Sequence, residues 1–254
     1  GLILIILVCI LLYIKIYFHK KNLLKHEIEE SENEIFTNQT NNDKEFSHFL
    51  QRQTSIVNEA YCKNIQSFVA EDIQSLKEVI FDVHTLNKDV KTMRHQSNDI
   101  IKKSKEITFE RGLFYLQTLD YLREAGHCMT YISTPCYEHL SKTYKALSEE
   151  QVIELMDISR KTSSLLLEIR KIIKNESFEN IDEALDLQYQ LSDFLLKSSK
   201  KQIKRVKKIG SSTKNSILYF NILNETKFLS LHMVNMLKSY RDFAGRQENR
   251  LEID

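Results

Sequence analysis

Acidic residues recur four apart in this chain, at Glu78/Asp82, Asp120/Glu124 and Asp182/Asp186. At helical pitch each pair shares one face, and two carboxylates on one face can chelate a hard cation through oxygen. Like charges at this spacing also occur on solvated helix faces with no ligand. A second group, His127, Cys128, Cys136 and His139, offers four possible metal ligands within thirteen residues. On one continuous helix the two cysteines would stand about 12 Å apart along the axis at 1.5 Å per residue. That is too far for a single zinc, so buried thiols are the expectation, even with Pro135 between them. A third group is basic: Lys197, Lys200, Lys201, Lys204, Arg205, Lys207 and Lys208. Cations near a helix C-terminus complement its dipole. In a domain held at a membrane they can also contact anionic lipid or a neighbouring protein, each charge contributing about 1 kcal/mol near the bilayer.

Nothing else in the chain suggests catalysis. The glycine-rich phosphate loops, His-Glu-x-x-His and Gly-x-Ser-x-Gly are missing, and the five glycines (1, 112, 126, 210 and 245) never cluster. The chain is therefore not expected to be an enzyme. The 36 Lys+Arg and 35 Asp+Glu nearly cancel, which removes the electrostatic case for a nucleic-acid partner. Four scattered cysteines, including Cys9 inside an apolar run, imply no disulfide framework and suit a reducing compartment.

These residues must be positioned by helices. One proline and five glycines in 254 residues are too few for strands joined by tight turns, so the fold class is all-α. Residues 1–18 are apolar except for Lys15 and form a transmembrane helix at the short end of the spanning range. The leading Gly suggests that this helix starts further upstream. Lys15, His19, Lys20, Lys21 and Lys25 follow as a basic cytoplasmic flank, making 1–28 a membrane helix with a juxtamembrane stem. Residues 29–45 lose apolar periodicity and read as a polar linker. Helical periodicity then continues through 46–245, with helices near 72–105, 107–142, 149–175, 177–209 and 213–244, and 246–254 is a polar tail. Ser148 with Gln151 forms a capping-box signature, Ser177 or Asn180 can cap the fifth helix, and Gly210 can stop it.

The third and sixth helices look related. Phe114-Tyr115-x-x-x-Leu119 matches Leu218-Tyr219-x-x-x-Leu223 at an offset of 104 residues, and Met129 falls on Met233. Each closes a group of three, so the simplest architecture is two three-helix bundles.

The stem ending His19-Lys20-Lys21, the segment Phe114 to Leu122, the stretch Leu147 to Ile158, and Asn215–Phe220 with Glu225-Thr226-Lys227 carry a family likeness. On these residues the chain resembles the C-terminal part of bacterial inorganic phosphate transporters, specifically permeases with a cytoplasmic PhoU-like helical extension. The resemblance implies that 1–18 is a last membrane helix and 46–245 a PhoU-like regulatory domain in the cytoplasm, at the bacterial inner membrane. It implies a permease transmembrane core as partner and admits a homo-oligomer. It also implies a divalent or ferric metal ion held by an acidic motif on the third helix of each half. Asp120 and Glu124 occupy that place in altered form, and the sixth helix offers Asn221 and Glu225, of which Glu225 can ligate. Regulation of phosphate uptake is the function so implied. The alternative is a membrane-anchored helical scaffold or signalling protein, which a sustained heptad would favour, but none continues across Pro135, Gly210 and the polar loops.

Overall fold

The computed structural model describes residues 42–103, 109–142, 144, 147–207 and 212–245. The expected membrane helix 1–18, its basic stem, the tail 246–254, Lys208 and Gly210 lie outside the described residues. The chain divides into two compact units, Gly1–Phe49 and Leu50–Asp254. Helical residues run from 42 to 69, so the division falls inside a helix, and its part within the second unit, residues 50–69, is α1. Residues 42–45, read above as the end of the linker, are helical. Asp43 and Glu45 are charged but are ordinary helix residues, so polarity alone does not mark a loop.

Chain reversal after α1 is local. Glu71 adopts a left-handed conformation (φ 57°), and the Asp72 N–H donates back to the Ser67 carbonyl at 2.8 Å, a helix-terminating arrangement. Asp72 then caps the next helix, its Oδ1 accepting from the backbone N–H groups of Gln74 and Ser75 at 3.1 and 3.0 Å. This opens α2, Ile73–Lys103, whose Leu76, Val79, Val83, Leu86 and Val90 are buried at helical spacing.

Helix α3, Phe109–Ser141, is continuous through Pro135. The predicted capping box opens α4, Glu149–Asn175: Ser148 Oγ accepts from the Gln151 N–H, and Gln151 Oε1 accepts from the Ser148 N–H at 3.0 Å. A short 3-10 turn, Phe178–Asn180, leads into α5, Ile181–Val206. Asn180 stands at the cap position of α5 but makes no side-chain cap bond, and neither does Ser177 before the turn. The last helix is α6, Thr213–Gly245.

These bounds reproduce the internal repeat. Helices α3 and α6 are each 33 residues long, and both ends are displaced by the same 104 residues as the Tyr115/Tyr219 match. Tyr115, Leu119 and Met129 are buried, as are their counterparts Tyr219, Leu223 and Met233. Among the described residues α3 against α6 is the most extensive helix pair, α2 packs on α3, and α4 and α5 pack on each other and on α6. Helix α1 reaches α2 through the Lys63–Glu78 ion pair at 2.7 Å. It reaches α6 through Tyr61 Oη and Thr226 Oγ1, 2.7 Å apart inside the core. The second unit is therefore all-α, two groups of three helices joined along the α3–α6 seam. Where α3 crosses α2, a Cβ at Gly126 would overlap Asn87 Oδ1. The missing side chain there lets Asn87 Nδ2 donate to Thr130 Oγ1 at 3.1 Å.

Candidate functional site

The seam collects most of the residues with chemical potential. At its middle, Glu124 on α3 and Glu225 on α6 both act electrostatically on Cys128 and His232. Burial first, and then the charge of the Glu225 carboxylate and the hydrogen bond the thiol donates to it, push Cys128 up to about 12. Cys136, with Asn64 Nδ2 at 3.5 Å from its Sγ, is likewise pushed up to about 12 by burial. Neither is a thiolate at neutral pH, so neither is an activated nucleophile. His139 is buried, with its ring edge-on to Phe68 at 5.8 Å and to Tyr144 at 5.2 Å. Cys128, Cys136 and His139 thus serve packing at separate points of one helix, whereas His127 is exposed, its Nδ1 4.0 Å from Glu124 Oε2. His232 titrates low because burial disfavours its charge.

The carboxylates named from the resemblance are differently employed. Arg94 Nε lies 2.9 Å from Asp120 Oδ1 and Arg123 Nη1 3.8 Å from it, while Arg123 Nη2 donates to Glu124 Oε1 at 2.8 Å. That hydrogen bond holds Glu124 below the usual carboxylate range. Among the described residues no group of three or more His, Cys, Asp or Glu is arranged to hold a metal ion. Asp120 and Glu124, expected in one half, are each paired with a guanidinium group, while Glu225, expected in the other, accepts from the Cys128 thiol. The repeat register explains the missing half: it places Asn224 and Phe228 on α6 opposite Asp120 and Glu124, and pairs Glu225 with Tyr121. Of the other acidic pairs, Glu78 is held by Lys63. Asp182 and Asp186 sit on the exposed side of α5.

Toward the Pro135 end the seam opens into a surface groove of about 570 Å³ between α3 and α6. Its apolar lining includes Tyr131 and Ile217, both more than half exposed. Its rim carries Lys142, paired with Glu138 at 3.0 Å, and Lys214, whose Nζ sits 3.8 Å above the Tyr144 ring. Lys214 lowers the titration of the Tyr144 phenol by hydrogen bonding. Asn221 Nδ2 donates to the Tyr131 carbonyl at 2.8 Å across the groove. The groove thus combines exposed apolar side chains with two ammonium groups and the carboxylates of Glu138 and Glu225.

The basic run on α5 is not uniformly exposed. Arg205 turns inward, its side chain only 14% accessible, and bonds Glu154 at 2.5 Å and Glu150 at 2.9 Å. Tyr219 also donates to Glu154, and Gln202 links Gln151 at 3.1 Å to Ser216 at 3.0 Å. This network ties α4, α5 and α6 together, and it removes Arg205 from the expected docking residues: a guanidinium beside a buried carboxylate is held there by charge. Burial opposes ionisation of Glu154, but the bonds from Arg205 and Tyr219 outweigh it, and the carboxyl titrates low. Lys201 lies 3.3 Å from Glu154, and Lys197 pairs with Asp193 at 2.6 Å. Lys200, Lys204 and Lys207 remain exposed.

Comparison of this helix arrangement with solved structures finds a structural neighbour. The crystal structure of the phosphate transport system regulatory protein PhoU from Streptococcus pneumoniae matches with a TM-score of 0.67 and 14% sequence identity, over 80% of this chain and 95% of that one. The fold is PhoU-like. No family model matches the sequence, and no curated protein matches it. The likeness concerns the helical part. Among the described residues, no helix is long and apolar enough to cross a membrane.

Proposed function

We propose that this PhoU-like domain regulates inorganic phosphate uptake by a membrane transporter, docking on it without carrying phosphate. The observation that carries this reading is the fold, shared over 95% of the length of a phosphate transport regulator. The groove between α3 and α6 is its docking surface, because it combines exposed Tyr131 and Ile217 with the ammonium groups of Lys142 and Lys214. An apolar anchor beside an acidic side chain on a transporter loop satisfies both. Regulation needs only that this contact differ between two transporter states, since a bound domain shifts an equilibrium by its differential affinity for them. In this reading residues 1–18 tether the domain at the cytoplasmic face of the membrane, beside the permease core, and raise its effective concentration there.

A photo-crosslinking residue in place of Ile217 tests this in cells. The expected adduct is with a phosphate permease, in a yield that changes between phosphate-rich and phosphate-starved growth. Adducts with no permease under either condition would overturn the reading.

A further inference from the structure

The side of α5 that faces away from α4 and α6 carries an apolar stripe with no role inside the fold. Tyr189, Leu196 and Ile203 stand seven residues apart and are 73%, 53% and 49% exposed. Seven residues return to nearly the same helix face. Leu185 precedes them and Ser192 and Ser199 fall between them, all only partly exposed, giving the alternating four-and-three spacing of a coiled-coil seam, with two serines small enough for close approach. Charges run along one flank of this stripe. Asp182 and Asp186 lie toward its start, Asp193 at the middle, and Lys200, Lys204 and Lys207 toward its end. Asp193 already pairs with Lys197 on its own helix.

We infer that this face pairs with the same face of a second copy of the chain, helices antiparallel, with the two-fold axis at Leu196. A two-fold axis perpendicular to the helices brings equal flanks together with their ends exchanged. Leu196 then meets Leu196 of the second copy, and Tyr189 meets its Ile203. Asp186, ten residues before the axis, lies within two residues of rise, about 3 Å, of Lys204 of the second copy, eight residues after its axis. By the same count Asp193 meets Lys200, and Asp182 comes within one helical turn of Lys207. Parallel pairing would instead set this charged flank against the partner's opposite flank, where Gln188, Ser192, Ser199 and Val206 offer no charge, so the charge order selects the antiparallel form. It also argues against anionic lipid as the occupant, because the acidic first half would be repelled by the surface that attracts the second. One helix pair is a small interface, so the association is weak and concentration-dependent. The inference is independent of any role in phosphate uptake.

Disulfide trapping of the full chain in detergent tests it, in a Cys9→Ser background. Leu196→Cys is expected to cross-link at least about tenfold faster than Gln190→Cys, which is exposed on the same helix but away from the stripe. In sedimentation velocity, Asp186→Lys or Lys204→Asp alone should weaken association roughly tenfold, and the two together should restore it. All four positions are exposed, so the variants should keep the wild-type circular dichroism. Equal cross-linking rates, or a double reversal no better than the single ones, would overturn the pairing. So would a chain that stays monomeric and instead binds phosphatidylglycerol vesicles through Lys200 and Lys204.

Discussion

Asn221 on α6 donates a hydrogen bond of 2.8 Å to the carbonyl of Tyr131 on α3. That carbonyl stands four residues before Pro135, which has no N–H to offer it. The side chain of one helix thus replaces the backbone donor that the other lacks, and α3 passes through its proline without ending. This contact lies in the docking groove, so it also fixes the groove's shape.

The replacement can be measured as a coupling. Asn221→Ala should cost about 0.5–1.5 kcal/mol in urea denaturation. In a Pro135→Ala background, where the backbone N–H is restored, the same change should cost clearly less. Equal costs in both backgrounds would separate Asn221 from the proline.

Arg205 and Glu154 make the second prediction. Arg205→Ala leaves a nearly buried carboxylate with only Lys201 and Tyr219 as partners, and should destabilise the fold by about 3 kcal/mol. The pH dependence follows from the low titration of Glu154. Because its folded value is depressed, its contribution is fully present above the ordinary carboxyl value of 4.5 and is lost as pH falls through the folded value. Glu154→Gln should therefore flatten the acid limb of the stability curve below about pH 4.5. An unchanged acid limb would show that Glu154 does not gain from the network.

A third prediction concerns metal. With Arg94 and Arg123 answering Asp120 and Glu124, calorimetric titrations with divalent and ferric ions should be the same for wild type and for Asp120→Ala/Glu124→Ala. A binding isotherm that the double substitution abolishes would show that the arginines yield to an ion.

Much of this fold was legible in residue spacing. Apolar periodicity placed α2 to α6 within a few residues of their observed ends. The 104-residue offset found the helix pair that joins the two halves, because buried faces at a shared seam keep the same residue types. Ser148 and Gln151 showed their cap because both partners lie within one turn. Arg205 was not legible as an inward residue: its partner Glu154 is 51 positions away, and a run of basic residues does not reveal which one meets a carboxylate in the core. Leu113 shows the same limit in reverse, being apolar in α3 yet 52% exposed. The groove was also hidden, since it depends on which side chains of α3 and α6 meet near Pro135 and on Asn221 reaching across. The stripe Tyr189, Leu196 and Ile203 was not singled out from the sequence, because only the burial pattern shows that it faces outward.

The central claim, that the domain tunes phosphate uptake without performing it, is tested most directly by initial rates of radiolabelled phosphate uptake. These would be measured across external phosphate concentrations in cells carrying the intact chain or one lacking residues 46–254. The account predicts that uptake persists after the deletion but no longer declines as it does in intact cells when phosphate is plentiful. An identical phosphate response in the two strains, or complete loss of uptake with the transporter still inserted, would contradict it.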